Sequence, residues 1–512
     1  MFSKNKKVLL LLLASLVVLA LVGTACGGAA QPQKVVETVV VEKEVEKIVE
    51  KEVTVVETVE VEVEKIVEVE VEKEVEKIVE VEVEKEMEAL PFGLKPGKPY
   101  DGTELSFLIC CNTAAQFHAL DVKSNSEFYD MTGIKVSWDD VPYGAFQEKL
   151  VTEATSASDN YDLFAFTDAW GAGLKPYMVP LNPLLEKDDA AHLDLSDFPN
   201  AYIEASKGLD GAVYGIPLRG HPFMFFYRQD IFDELGLEAP TTWAELEEVS
   251  EVIKAEKPDM FPLSVYYGIN AGQNTFWWEA LLWSNGGDLF DENWKPIFNN
   301  EAGVEATERY ISWLNNELTG PGSVAFNEQE GLEEMLQGRA AMFMGWWWMY
   351  SRLKDCERAP DVCENVGFAT APSWEGKGKP STYGHVWPMG INKYSRNQEA
   401  AWEYMKWVHS QEVQKAVITD KSAPEVSSNV ATRLSVLSDP EVNEVNSGLP
   451  EVGGAILADA RTNPIIPEWL EILSILEVGL NDMAAGGADV QSTLDQMAED
   501  VEAIMDRGGY YE

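Results

Sequence analysis

Histidine and cysteine are scarce in this chain, five of each in 512 residues. The histidines are dispersed, and no CxxC pair or His-rich cluster has zinc-ligand spacing. The segment 291–301, DENWKPIFNNE, lacks the central glycine of a calcium-binding loop. GKGK at 376–379 lacks the spacing and the Ser/Thr of a phosphate-binding loop, and there is no GxGxxG, HExxH or GxSxG motif. Neither a metal nor a cofactor is therefore expected. Basic residues are also few: 39 Lys and Arg against 87 Asp and Glu, a net charge of −48. That balance makes nucleic acid and anionic membrane surfaces poor partners. No apolar run reaches the ~20 residues that span a bilayer as a helix.

The longest apolar run is residues 8–22, preceded by Lys4, Lys6 and Lys7. This is the layout of a targeting segment. Gly23-Thr24-Ala25-Cys26 resembles a bacterial lipobox, with small residues on both sides of Cys26. The expectation is a lipoprotein signal peptide over 1–26, with lipidated Cys26 anchoring the protein to the outer face of the cell membrane. The alternative is an ordinary signal peptide with an incidental cysteine.

Residues 27–95 are dominated by Val, Glu and Lys, and KIVEVEVEKE at 65–74 returns at 77–86. VEVEV alternates as a strand would. Val63, Val67, Val71, Val75, Val79, Val83 and Met87 instead recur every four residues, as on a helix. Neither pattern buries a globular core. The segment reads as a stalk, helical or coiled-coil, and disorder is the other reading.

From about residue 96 the composition is that of ordinary globular sequence, too long for one core, so two lobes are expected. Residues 105–109 read as a buried strand followed by a helix, as in an α/β unit, and residues 161–170 as another buried strand that ends in polar residues. Ligands of open α/β sheets lie beyond the carboxyl ends of strands. That rule selects Asn112 and Thr113 after the first strand, and Thr167, Asp168 and Trp170 after the second; their other possible role is to cap the helix that follows. Residues 213–217 and 222–227 read as two further strands. Between them Pro217, Arg219, Gly220, His221 and Pro222 suit a crossing between two bodies better than a buried strand. Beyond it, Thr242 with Glu245 is a helix-capping pair. In LQGRAAMFMGWWWM, 336–349, three consecutive tryptophans cannot all face one core. Cys356 and Cys363 flank a short loop and suit a disulfide in an oxidising compartment. Adjacent Cys110 and Cys111 are open between a vicinal disulfide and buried thiols.

Six ordered segments carry a resemblance to a known family. They are YGIP through PTTW at 214–243, the early TGIKV at 132–136, WSNGGDLF at 283–290, the WWW strand, TYGHVWPMGINKY at 382–394, and the C-terminal run from Arg461. Together they resemble the maltose-binding-like extracellular solute-binding proteins of carbohydrate ABC importers. The resemblance implies two α/β lobes of periplasmic-binding-protein type with an interlobe cleft. Their divisions would be 96–220 and 386–445 for the first lobe, 221–385 for the second, and C-terminal helices over 446–512 on the second, with crossovers near 217–223 and 384–390. It implies a mono- or oligosaccharide ligand, closure around it, and ABC permease subunits as partners. By the same resemblance His221 contacts ligand, and Asn274, Phe276 and Trp277 occupy a ligand-contacting loop. Trp347, or failing it Trp348, would form an aromatic platform facing Trp170 or Trp387, with His385 reading sugar hydroxyls beside Asn112, Asp168 and Asn274. Arg219 would face the same cleft or else make an interlobe ion pair, and the alternative for the WWW cluster is core packing under the second lobe. No enzymatic activity is expected. The competing readings are a surface-anchored carbohydrate hydrolase and a sugar-sensing or adhesion lipoprotein.

Overall fold

The computed structural model describes residues 89–111, 113, 117–377, 381–422 and 431–511. Cys26 and the rest of the expected signal peptide, most of the segment expected to be a stalk, and Asn112 lie outside the described residues. Eight strands are formed among those described: β1 (Glu104–Cys110), β2 (Lys135–Val141), β3 (Leu163–Ala165), β4 (Ile216–Arg228), β5 (Phe261–Ser264), β6 (Ala340–Trp346), β7 (Val366–Ala369) and β8 (Gly384–Ile391). They join in the order β2-β1-β3-β8-β4-β6-β5, with β7 also on β4.

The strand β4 is shared by both lobes. Its first half, 216–222, pairs antiparallel with β8, and its second half, 223–228, pairs with β6 on one side and β7 on the other. The first lobe is therefore β2, β1, β3, β8 and the start of β4; the second is β5, β6, β7 and the end of β4. The sequence suggested two strands with a non-strand crossing between them. The chain instead stays extended throughout, with one irregularity between Pro217 and Arg219. Both prolines are tolerated because 216–222 has a strand partner on one edge only, so a missing N–H breaks no second ladder. A third crossing lies at Arg461, whose backbone bonds Gly384 and Thr382 at 2.8 and 3.0 Å. The helix Leu449–Ala458 precedes it and packs on β4.

Helices cover the sheet as the apolar periodicity requires. Thr242 and Glu245 form the capping box of the helix Trp243–Glu256, each accepting from the other's backbone N–H at 3.2 Å. In the second lobe Trp243, Trp277 and Trp313 are fully buried, and Trp243 and Trp277 each pack against Trp313 at 5.7 Å, tilted and edge-on respectively. In the first, Phe128, Tyr404 and Trp407 do the same at 5.2–6.0 Å. Disulfides join Cys356 to Cys363 and Cys110 to Cys111.

Candidate functional site

Side chains two apart on a strand share a face. Across the β4–β8 pair, Arg219 lies opposite Trp387 and His221 opposite His385. These four occupy one surface of the crossing. The Arg219 guanidinium sits 5.1 Å above the Trp387 ring. Its Nε donates to His221 Nε2 at 2.9 Å, and an Nη donates to the Thr113 hydroxyl. Since His221 Nε2 accepts, the ring proton is on Nδ1, which is buried with no protein partner. The His221 and His385 rings stack at 6.4 Å. On the reverse surface Gly220 meets Tyr202: a β-carbon there would lie 2.3 Å from the tyrosine ring, so only glycine fits.

The carboxyl ends of β1 and β3 deliver residues to the same surface. Thr113, fully buried, donates its hydroxyl to the Cys110 carbonyl while accepting from Arg219. Asp168 opens the helix that follows β3. Its carboxylate accepts from the Tyr383 hydroxyl and from His385 Nδ1, the latter at 3.0 Å; its side chain is 0% exposed and that of His385 20%. The Thr167 hydroxyl is buried without a protein partner. Trp170, half-buried, packs edge-on against Trp387 at 5.7 Å and against Tyr143 at 5.6 Å.

The second lobe adds an aromatic wall. Trp346 touches Phe223, Phe276, Tyr383 and His385 at 4.9–5.8 Å between ring centres. Its indole N–H donates to Glu328 at 2.8 Å. Phe276 stacks on Tyr383 at 5.1 Å. The three tryptophans thus part company, as neighbouring residues at a strand end must. Trp346 reaches the crossing. Trp347 turns to the reverse surface, where it packs with Pro222 on Gly453, whose added β-carbon would lie 2.5 Å from its ring. Trp348 stays half-buried beside the Arg352 guanidinium. Asn274 and Trp277 also lie away from the crossing surface. Asn274 is fully buried, its amide tying the carbonyls of Tyr267 and Glu477 at 3.1 and 2.8 Å. Trp277 is core, beneath Phe223.

The electrostatics follow from burial. Desolvation, then the Arg219 and His385 charges, holds His221 well below the usual imidazole range. Burial brings Arg219 down to about 10. Glu328 is raised by burial, against the opposing bonds from Trp346 and Gln329. Tyr143 is 47% exposed at the rim, yet desolvation of its hydroxyl and the carboxylates of Glu328 and Asp168 push it up to about 12. Tyr143, Glu328, Trp346 and Tyr383 were not selected from the sequence. Tyr383 shares strand parity with His385 and was open to selection; Glu328 carries no sequence signal. Among the described residues no group of His, Cys, Asp and Glu could hold a metal ion. A separate hollow of about 330 Å³ lies beside Trp283, Phe290 and Trp294, where Arg461 is already paired with Asp288 at 2.6 Å.

These features are those of a solute-binding protein. The family model described as bacterial extracellular solute-binding protein matches residues 119–415, and the chain belongs to that family. A probable amino-acid ABC transporter periplasmic-binding protein from Sinorhizobium fredii is 26% identical over 417 residues, 81% of this chain and 92% of the relative. A mannitol-binding protein from Pseudomonas aeruginosa is 24% identical over 56% of this chain and 64% of its own length. Among solved structures, an ABC transporter solute-binding protein from Agrobacterium radiobacter in complex with ribitol has a TM-score of 0.66 at 25% identity, over 80% of this chain and 100% of that one. Maltose-bound T. maritima MalE3 has the same fold, TM-score 0.67 at 20% identity, over 78% and 100%.

Proposed function

We propose that this protein binds a carbohydrate or polyol outside the cytoplasm, on the surface formed by Arg219, His221, Asp168, Tyr383, His385, Trp346 and Trp387, and hands it to an ABC permease as the lobes close. The observation carrying this reading is the composition of that surface. Rings of Trp346 and Phe276 suit the CH faces of a sugar or the carbon chain of a polyol. Beside them stand a carboxylate, a guanidinium and two imidazoles, which suit hydroxyl groups. The mannitol and ribitol named for two relatives support the same class. Closure is a hinge motion about the crossing strands.

Thermal shift followed by calorimetry over ribitol, mannitol, monosaccharides, maltodextrins and amino acids tests this. A ligand that binds only the folded state raises apparent stability. Binding confined to amino acids, as one relative's name suggests for itself, would overturn the carbohydrate reading. We further propose that the ligand is bound and not transformed; new reducing ends on incubation with oligosaccharides would contradict this and favour the hydrolase. The lipid anchor at Cys26 is part of the proposal. Cys26→Ser is expected to release the protein from the membrane fraction, and unchanged fractionation would remove the anchor.

A further inference from the structure

The Cys110–Cys111 disulfide stands at the carboxyl end of β1, one residue before Asn112 and two before Thr113. Cys110 is fully buried and is the last residue of β1, in register with Val141 of β2. Cys111 is partly exposed and adopts φ +75°, a left-handed conformation that side chains with a β-carbon rarely take. Its N–H still donates to the Val141 carbonyl at 3.1 Å. The chain therefore turns abruptly on leaving the sheet. Thr113 is brought back so that its hydroxyl donates to the Cys110 carbonyl and accepts from Arg219. The Thr113 carbonyl in turn accepts from Phe117 N–H at 2.7 Å, directly ahead of the helix His118–Lys123.

A disulfide between neighbouring residues closes a small ring around their shared peptide. Such a ring removes most of the freedom of the two residues it contains. Here the ring lies two residues ahead of Thr113, which accepts from Arg219, and Arg219 in turn donates to His221 and lies over Trp387. We infer that the Cys110–Cys111 disulfide is a positioning element of the ligand surface, and that ligand affinity depends on this ring being closed. The inference rests on the surface proposed above being the ligand site.

The test uses the full chain carrying Cys356→Ala and Cys363→Ala, so that the vicinal pair is the one reduced. A non-reduced digest should yield the 110–111 peptide lighter by two hydrogens; two alkylatable thiols in exported protein would overturn the inference. A water-soluble phosphine then opens the ring, being oxidised to phosphine oxide with oxygen from water while the sulfurs become two thiols. Two readouts follow. Hydrogen exchange should rise several-fold in the peptides covering 108–113 and 216–222, and unchanged exchange would overturn the inference. Affinity for ribitol, mannitol or maltose, whichever binds the oxidised chain, should fall about tenfold. If none of the three binds oxidised protein, the affinity readout counts against the proposed ligand and exchange alone decides the ring's role.

Two variants separate positioning from general stability. Cys110→Ala with Cys111→Gly accepts φ +75° without a ring; wild-type exchange and affinity in it would make the ring incidental. Thr113→Val should reproduce the effect of reduction, and reduction should then add nothing. An additional loss on reducing the Thr113→Val protein would show that the ring acts by another route and overturn the inference.

Discussion

His221 and His385 face each other across the antiparallel β4–β8 pair, rings stacked 6.4 Å apart, with Arg219 bonded to one and Asp168 to the other. A cation on His221 would sit between Arg219 and His385 with its remaining nitrogen unpaired. The fold therefore holds this imidazole neutral well below its usual range. In that window the unfolded chain binds a proton that the folded chain does not, so stability falls as pH drops below about 6.5. His409, brought down to about 3 by burial, acts with the same sign. Glu279 and Glu328, raised by burial, act oppositely, costing stability as pH rises past about 4.5. The contribution of His221 is thus read as a difference. His221→Gln should flatten the fall in stability between pH 7.5 and 5.5 by up to about 1.4 kcal/mol per pH unit. Identical slopes in thermal melts of the two proteins would remove His221 as a source of acid sensitivity.

Asp168 joins the crossing strand to the first lobe through Tyr383 and His385. Asp168→Asn keeps the shape and loses the charge, and should lower ligand affinity about tenfold, or ~1.4 kcal/mol, with a small change in melting temperature. Asp168→Ala leaves a buried hydroxyl and a ring nitrogen unpaired and should also cost about 1–3 kcal/mol of stability. Calorimetry on the ligand found by screening, paired with urea unfolding, checks both. Undiminished affinity in Asp168→Asn would take the carboxylate out of the site.

Much of this arrangement was legible because it is local. Thr113 and Asp168 follow strand ends, where the sheet rule places them, and the crossing announces itself in the mixture of proline, glycine, arginine and histidine around 217–222. What was not legible is register. Whether Trp346 or Trp347 meets the crossing depends on where β6 ends against Phe223, which pairs with Trp346 from more than a hundred residues away. Asn274 looked like a ligand contact on a polar loop; its surroundings instead give its amide two backbone carbonyls to bind. Glu328 opens a surface helix in sequence terms, and reaches Trp346 only through the packing of that helix beneath β6.

Arg433 is almost fully buried and holds several first-lobe segments together. It donates to the His409 carbonyl at 2.7 Å, to Asp197 at 2.8 Å and to the His192 carbonyl at 3.2 Å, and lies 4.6 Å over Phe198. Arg433→Met removes the buried cation, leaves Asp197 with only its two bonds from Ser435, at 2.8 and 2.6 Å, and strands two carbonyls. The expected cost is about 3–5 kcal/mol. A urea midpoint shifted by less than a quarter of that would mean the cluster rearranges around the methionine.

The neighbouring tryptophans give the sharpest separation of binding from packing. Trp346 lies on the crossing surface against Phe276, Tyr383 and His385. Trp347 lies on the opposite surface, against Gly453 and Pro222. Trp346→Phe retains an apolar ring, loses the bond to Glu328 and shrinks the aromatic wall; it should weaken binding by ~1–2 kcal/mol, roughly 5- to 30-fold, with a modest effect on melting. Trp347→Ala opens a cavity between β4 and the helix Leu449–Ala458, at a cost of about 3–5 kcal/mol of stability, and should leave affinity within about threefold. Measured side by side by calorimetry and thermal melting, the two variants should fall on different axes. A Trp347→Ala protein that melts normally but loses its ligand would place the binding surface on the other side of the crossing strands.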